Sequence, residues 1–207
     1  MKFFLQNATS ILFIPIMYRL FSVIIGGNNA RSIYVQEYVR PKNGDRILDI
    51  GCGIGDILEF LPHDVEYTGF DINQKYINYA IKKYSGRGSF LCKKVSKDAI
   101  NSLSTFDIVM ANGVLHHLTD DEAIELFKLA KTALKPSGRL ITLDGCYTKE
   151  QSLLARFILS IDRGKHVRSQ KDYLKLASKV FPTNIKIDIR DDLLTIPYTH
   201  IIMECSL

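Results

Sequence analysis

A chain of 207 residues, 46% hydrophobic and 24% charged, has the makeup of a globular domain large enough to bury a core without staples. Thirteen glycines and six prolines exclude collagen-like and low-complexity classes. The four cysteines (Cys52, Cys92, Cys146, Cys205) form no C-x-x-C pair, so neither a metal site nor a disulfide framework is expected. The net charge of +5 equals the excess in one stretch, where Arg156, Arg163, Lys165, Arg168, Lys171, Lys175 and Lys179 outnumber Asp162 and Asp172. Such a cluster suits an anionic substrate or a membrane surface, or simply a solvated helix face.

The chain opens on an apolar run, Ile11 to Ile25, after Met-Lys-Phe-Phe-Leu. Arg19 in its middle, Pro15 and a length short of the ~20 residues of a span argue against a transmembrane helix. No small-x-small cleavage site follows, and Gly26-Gly27-Asn28-Asn29 reads as a turn. Residues 1–27 are therefore expected to form a helix capping a pocket, with peripheral membrane contact the second choice. A cytoplasmic location is expected.

From residue 28 strand and helix signals alternate. This predicts one α/β domain over residues 1–207: a Rossmann-like doubly wound sheet, mostly parallel with an antiparallel last strand, and helices on both faces. Asn28 or Asn29 can cap a helix through about Arg40. Arg46 to Ile50, Val65 to Asp71, Ser89 to Lys93, Phe106 to Ala111 and Arg139 to Asp144 read as the first five strands. Asn73 can cap the helix bearing Tyr76, Ile77 and Ala80, and Thr119 with Glu122 forms a capping box. A helical insertion over 150–182 holds helices at about 150–162 and 169–180, the second capped by Ser169. Ile185 to Ile189 and Tyr198 to Cys205 close the chain as strands.

Gly51, Gly53 and Gly55 directly follow the first strand, where glycine permits a sharp turn and close approach of a ligand. The helix expected after them would offer free N–H groups to that ligand. Asp71 ends the second strand 22 residues after Asp49, where a carboxylate can accept from a ribose diol. The pair points to an adenosine-type cofactor. Asp56 occupies the last glycine position of G-x-G-x-x-G, which disfavours a dinucleotide.

At this point Ile47-Leu48-Asp49-Ile50-Gly51-Cys52-Gly53-Ile54-Gly55 resembles the first motif of class I S-adenosylmethionine-dependent methyltransferases, and Phe70-Asp71-Ile72 their ribose-binding motif. The stretch from Phe106 to Leu118 is similar to their fourth-strand motif, and Leu134-Lys135-Pro136-Ser137-Gly138-Arg139-Leu140 to the turn before the fifth strand. The resemblance implies S-adenosylmethionine as methyl donor. It implies Gly51, Cys52 and Gly53 along the methionine part, and Asp49 ordering the loop or accepting from the amino group through water. Asp71 would meet the ribose, Ile72 and Val95 the adenine, and the carbonyls of Asn112 and Gly113 the ammonium. Many members carry an acid after the third strand; Lys94 stands in the corresponding stretch, so that contact falls to a backbone group, Ser96, Asp98 or water.

The fold does not fix the base. His116 and His117, past the fourth strand, are candidates as general base, and a structural role for one of them is equally in keeping with the resemblance. Tyr18, Tyr147, Arg163, His166, Arg168, Tyr198 and His200 are candidates for the acceptor side, with Arg163 and Arg168 able to grip an anion. The expected acceptor is a small molecule, anionic in one version, and no nucleic-acid module is visible. Methyl transfer to RNA or protein, and a non-catalytic cofactor-binding subunit, are the alternatives.

Overall fold

A computed structural model describes residues 15–162 and 164–207. Seven strands form one continuous sheet: β1 (Arg46–Ile50), β2 (Glu66–Asp71), β3 (Ser89–Cys92), β4 (Phe106–Asn112), β5 (Leu134–Tyr147), β7 (Ile185–Arg190) and β8 (His200–Ser206). Their order is β3-β2-β1-β4-β5-β8-β7, and the two-residue β6 (Arg168–Ser169) pairs with the end of β5. All pairings are parallel except those of β8, which runs antiparallel to both β5 and β7. The chain leaves β1 toward β2 and β3, then returns to place β4 on the other side. Their carboxyl ends diverge at this switch point, where α/β sheets bind ligands.

The central strands are buried on both faces, as their near-continuous apolar sequences require. Period-2 alternation sends Leu48, Ile50 and Val109 to one face and Ile47, Ile108 and Met110 to the other. The first face is covered by α5 (Asp120–Ala133) and α7 (Gln170–Ser178), through Phe127 and Tyr173. On the second lie α2 (Gly27–Tyr34) and α3 (Gln74–Lys83), through Tyr34 and Ala80. The remaining helices are α1 (Pro15–Ile24), α4 (Lys97–Asn101) and α6 (Leu153–Ser160).

Three of the expected caps are present, while neither Asn28 nor Asn29 caps the helix expected there. Asn73 accepts from the Lys75 and Tyr76 amides, Ser169 from the Asp172 amide, and Thr119 with Glu122 closes a reciprocal box. Four boundaries differ from the sequence reading. α2 begins at Gly27 behind Gly26, whose φ of 86° needs glycine, and it ends in a π turn, Val35–Val39. The glycine loop runs into a single 3-10 turn, Asp56–Glu59, and not into a full helix. Pro62 explains this, since it drives Leu61 out of helical geometry. β5 takes in Lys135 to Gly138 as an irregularity in its pairing with β4. There Gly138 is the residue that fits, because a Cβ would stand 2.9 Å from the Phe106 carbonyl oxygen. Finally, the last strand starts at His200, leaving Tyr198 in the preceding loop.

The residue that argued against a dinucleotide turns out to anchor the N-terminal helix. Asp56 is 5% exposed, and its Oδ1 accepts from Arg19 of α1 at 2.9 Å, Lys83 at 3.0 Å and the Tyr84 hydroxyl at 2.9 Å. Glu59 shares Arg19 and Lys83. Residues 11–14 of the apolar run lie outside the described residues. Asp56→Ala leaves Arg19, Lys83 and the Tyr84 hydroxyl to Glu59 alone, so it is expected to cost about 2 kcal/mol of stability. Thermal unfolding measures that loss, and limited proteolysis should show α1 released while Asp56→Asn retains part of the contact.

Candidate functional site

The glycine turn is pinned from below and open above. Gly51 and Cys52 both donate to the Phe70 carbonyl, at 2.7 and 3.0 Å, tying the turn to β2. Gly51 has φ 79°, and a Cβ there would stand 2.4 Å from Val114 Cγ2, so it is required by both torsion and space. Gly53 has φ 56° and nothing within 4 Å of where a Cβ would stand. Its amide donates to Asp71 Oδ2 at 2.9 Å, while the Asn73 amide donates to Asp71 Oδ1 at 2.7 Å. The strand-terminal carboxylate is thus held at the mouth of the turn with lone pairs to spare. Beside it, Ile72 is 78% exposed, an apolar surface awaiting a partner, and Val95 is buried.

Beneath the turn, Asp49 is 3% exposed. Its Oδ2 accepts from the Tyr67 hydroxyl at 2.6 Å, whereas its Oδ1 has no donor among the described residues. Burial raises this carboxyl to about 7, with the Asp71 charge adding to the rise and the Tyr67 hydrogen bond opposing it. A buried acid short of one donor suits a nearby cation. Next to it the Tyr34 hydroxyl donates to Asn112 Oδ1 at 2.6 Å, and burial with the charges of Asp49 and Asp144 holds that phenol neutral. Gly113 follows with φ 67°, its amide on the Leu143 carbonyl at 2.7 Å. An open glycine turn, a poised carboxylate, an apolar face and an orphaned buried oxygen together fit a positively charged nucleoside.

The second half of the site is an acid–base cluster beyond β4 and β5. Asp144 Oδ1 lies 3.1 Å from the His116 amide and 2.7 Å from its Nδ1. With Asp144 as carboxylate, this oxygen can only accept from both groups, which places the ring hydrogen on Nδ1. His116 Nε2 lies 3.8 Å from Asp162 Oδ1, and Asp162 Oδ2 accepts from the Tyr198 hydroxyl at 2.6 Å. The His117 ring lies tilted against that of His116 with ring centroids 4.2 Å apart, and the His200 ring lies 4.7 Å from that of Tyr198. Burial lowers His200 to about 4, so it is neutral. Gly164 sits where a Cβ would strike the His116 ring, 1.9 Å from Cδ2, which lets the chain after α6 lie flat over that imidazole.

The structure sorts the acceptor-side candidates. His116, His117, Tyr198 and His200 come together, whereas His166 contributes its amide to the His116 carbonyl at 2.9 Å. Arg168 is buried and fully engaged: it bonds Asp120 and the carbonyls of Leu115, Leu118 and His166, so its donors serve the fold. Tyr147 and Arg168 line a separate groove of about 460 Å³ with Arg156, Lys175 and Lys179. Tyr18 lies on α1 with its ring 5.7 Å from that of Tyr76. Arg163 lies outside the described residues. Lys94 pairs with Glu122 at 3.5 Å, and Ser96 caps α4, which occupies its oxygen with the Ala99 amide. Tyr34, Tyr67, Asp144 and Asp162 escaped the sequence reading. Asp144, an acid at the carboxyl end of a strand like Asp49 and Asp71, carried a signal; the others become visible only through tertiary contacts.

Residues 48–140 match the family model described as a methyltransferase domain. Among curated relatives, phosphoethanolamine N-methyltransferase 1 of Triticum aestivum is 30% identical over 109 residues, covering 51% of this chain and 22% of that protein. The mitochondrial ubiquinone biosynthesis O-methyltransferase of Schizosaccharomyces pombe is 32% identical over 150 residues, covering 68% of this chain and 52% of that protein. The chain therefore spans at most about half the length of these two. A crystal structure of a SAM-dependent methyltransferase from Archaeoglobus fulgidus superposes with a TM-score of 0.67 at 20% identity, over 91% of this chain and 99% of that one, a likeness of fold.

Two outcomes follow from the geometry. Because Asp49 holds its proton to about pH 7 in the free protein, a cationic ligand that favours the carboxylate must release that proton. Ligand affinity should climb as pH rises from about 6 to about 8. Calorimetry in buffers of different ionisation enthalpy reads the proton, and Asp49→Asn abolishes the dependence. Arg168→Ala is expected to cost about 3 kcal/mol in chemical denaturation, with Arg168→Lys a poor rescue because one ammonium cannot span four acceptors.

Proposed function

We propose that the chain carries a class I, Rossmann-like methyltransferase domain and transfers a methyl group from S-adenosylmethionine to a small-molecule acceptor beside His116. The observation that carries this reading is Asp49: a buried carboxyl with one oxygen lacking a donor, directly under the open glycine turn. S-adenosylmethionine supplies an activated methyl group on a sulfonium. In this reading Asp49 and the carbonyls of Asn112 and Gly113 face its ammonium end. Gly51, Cys52 and Gly53 line the methionine part. Asp71 accepts from the ribose hydroxyls with the lone pairs its two backbone donors leave, and Ile72 and Val95 enclose the adenine.

Asp144 acts as a positioning residue. By accepting the Nδ1 hydrogen it leaves Nε2 as the ring atom able to take a proton, on the side of Asp162 and Tyr198. An amine or hydroxyl acceptor would lose its proton to Nε2 as the new bond to the methyl carbon forms. Relatives named as a phosphoethanolamine N-methyltransferase and as an O-methyltransferase of ubiquinone biosynthesis support the small-molecule class. With Arg168 spent on the fold, an anionic acceptor would be met by Arg163 and His166, and Tyr147 and Tyr18 fall at the margins.

S-adenosylhomocysteine titrated calorimetrically should bind the wild-type chain, and Asp71→Ala should weaken it about 30-fold or more. His116→Ala should leave that affinity within a factor of about three and lower methyl transfer by about 10² or more in an acceptor screen with labelled donor. Wild-type protein that ignores S-adenosylhomocysteine, or Asp71→Ala that binds it undiminished, would sink the assignment.

A further inference from the structure

Helix α1 is built inside out. A surface helix ordinarily turns its apolar stripe to the core and its polar face to water. Here the inward stripe is Tyr18, Arg19 and Ser22: Arg19 reaches Asp56 and Glu59, and Ser22 Oγ accepts from Arg31 at 2.9 Å. The outward face is Ile16, Met17, Leu20, Phe21, Val23 and Ile24, all exposed, with Ile16 at 66% and Ile24 at 68%. Rolling the helix over would bury these side chains but break the cluster on Asp56. The polar contacts decide the orientation, and among the described residues the apolar face is left unpartnered.

A second helix also exposes an apolar face. On α6, Ala155 and Leu159 face the sheet, while Leu153, Leu154 and Phe157, with Ile161 just beyond, face outward. Leu153 is 86% exposed. Both helices stand at the carboxyl end of the parallel strands: α1 over the turn after β1, α6 following β5. The segment between β7 and β8 bridges them, with the Thr195 amide on the Ile25 carbonyl at 3.0 Å and Tyr198 on Asp162. Charge selects the occupant. Arg156 of α6 shares its groove with Lys175 and Lys179 of the α7 region. Among the described residues none of Arg156, Lys165, Lys171, Lys175 or Lys179 forms an ion pair. The same groove holds Asp120, which pairs with Arg168, and Asp172, and its edge stays net positive; a second copy of this chain would bring the same net positive charge to the interface, whereas an anionic bilayer neutralises it.

We infer that the outward faces of α1 and α6 seat the protein on an anionic lipid surface. The apolar side chains enter the headgroup–acyl boundary, and the Arg156–Lys175–Lys179 edge meets lipid phosphates. This is a peripheral seat: among the described residues no helix is long and apolar enough to cross a membrane.

Flotation of the full chain with vesicles of phosphatidylcholine alone, or of phosphatidylcholine and phosphatidylglycerol in equal parts, tests it. The wild-type protein should float with the mixed vesicles, not with phosphatidylcholine alone, and should be released as salt is raised. The triple variant Ile16→Ser/Leu20→Ser/Ile24→Ser should lose binding about tenfold or more, and Lys175→Glu/Lys179→Glu should lose the preference for anionic lipid. Leu153→Ser/Phe157→Ser tests the second helix should the first variant fold poorly by circular dichroism, with the same tenfold loss expected. Wild-type protein that stays in the aqueous fraction with both vesicles overturns the inference. So does a folded triple variant that floats as well as wild type. A dimer in sedimentation equilibrium that the same substitutions dissolve also overturns it, by making the apolar face a contact between copies.

Discussion

Asp144 accepts both the backbone amide and the ring Nδ1 hydrogen of His116, fastening the loop after β4 to the strand beside it. Everything on the acceptor side hangs from that loop. The His116 carbonyl takes the His166 amide, Gly164 lies against the His116 ring, and Arg168 gathers the carbonyls of Leu115 and Leu118. The segment between α6 and α7 is therefore folded onto the loop after β4 by backbone groups whose positions Asp144 sets. A buried carboxylate is costly unless its acceptors are used. Both donors fall on Oδ1 while Oδ2 has no partner among the described residues, so burial still raises this carboxyl above its usual range with His116 opposing the rise, and the same contacts fix which imidazole nitrogen points away from the strand.

Three further carboxylates around the glycine turn show how environment separates one chemistry into three roles. Asp56 is buried but surrounded by Arg19, Lys83 and Tyr84, so it serves as an anchor. Asp71 is only partly buried, and two backbone amides orient it without consuming it. Asp49 is buried with a single phenol and a like charge nearby, which raises its carboxyl to about 7. The first is satisfied within the fold. The other two gain from a ligand, and they stand on adjacent strands at the carboxyl end of the sheet where the chain reverses its winding.

What could be read in the sequence was what local rules govern. Strand cores such as Ile47-Leu48 and Ile108-Val109-Met110 announce burial on both faces, and the caps Asn73, Thr119 and Ser169 act within one turn of themselves. The glycines were legible because their backbone demands precede any tertiary contact. Pairings across long separations were not. Arg19 and Asp56 are 37 residues apart, Tyr34 and Asn112 are 78 apart, and Tyr198 and Asp162 are 36 apart. Arg168 illustrates the limit well. An arginine in a basic run has the look of an anion receptor, and only the positions of three carbonyls reveal a clamp. The helix expected after the glycine turn failed for a local reason, Pro62.

The same distinction governs α1. Its amphipathic period is plain in Pro-Ile-Met-Tyr-Arg-Leu-Phe-Ser-Val-Ile, but period alone says that two faces differ and not which one turns inward. The default rests on water being the outer medium. Asp56, already committed to the interior by Tyr84 and Lys83, offers Arg19 a partner that solvent cannot match, and α3 offers Tyr18 a ring to lie against. Once those polar contacts are made, the apolar face has only the outside left. On this chain, then, an inward ion pair and an outward apolar stripe are one arrangement seen from two sides. The acid that departs from the dinucleotide pattern is also what turns a hydrophobic surface away from the protein.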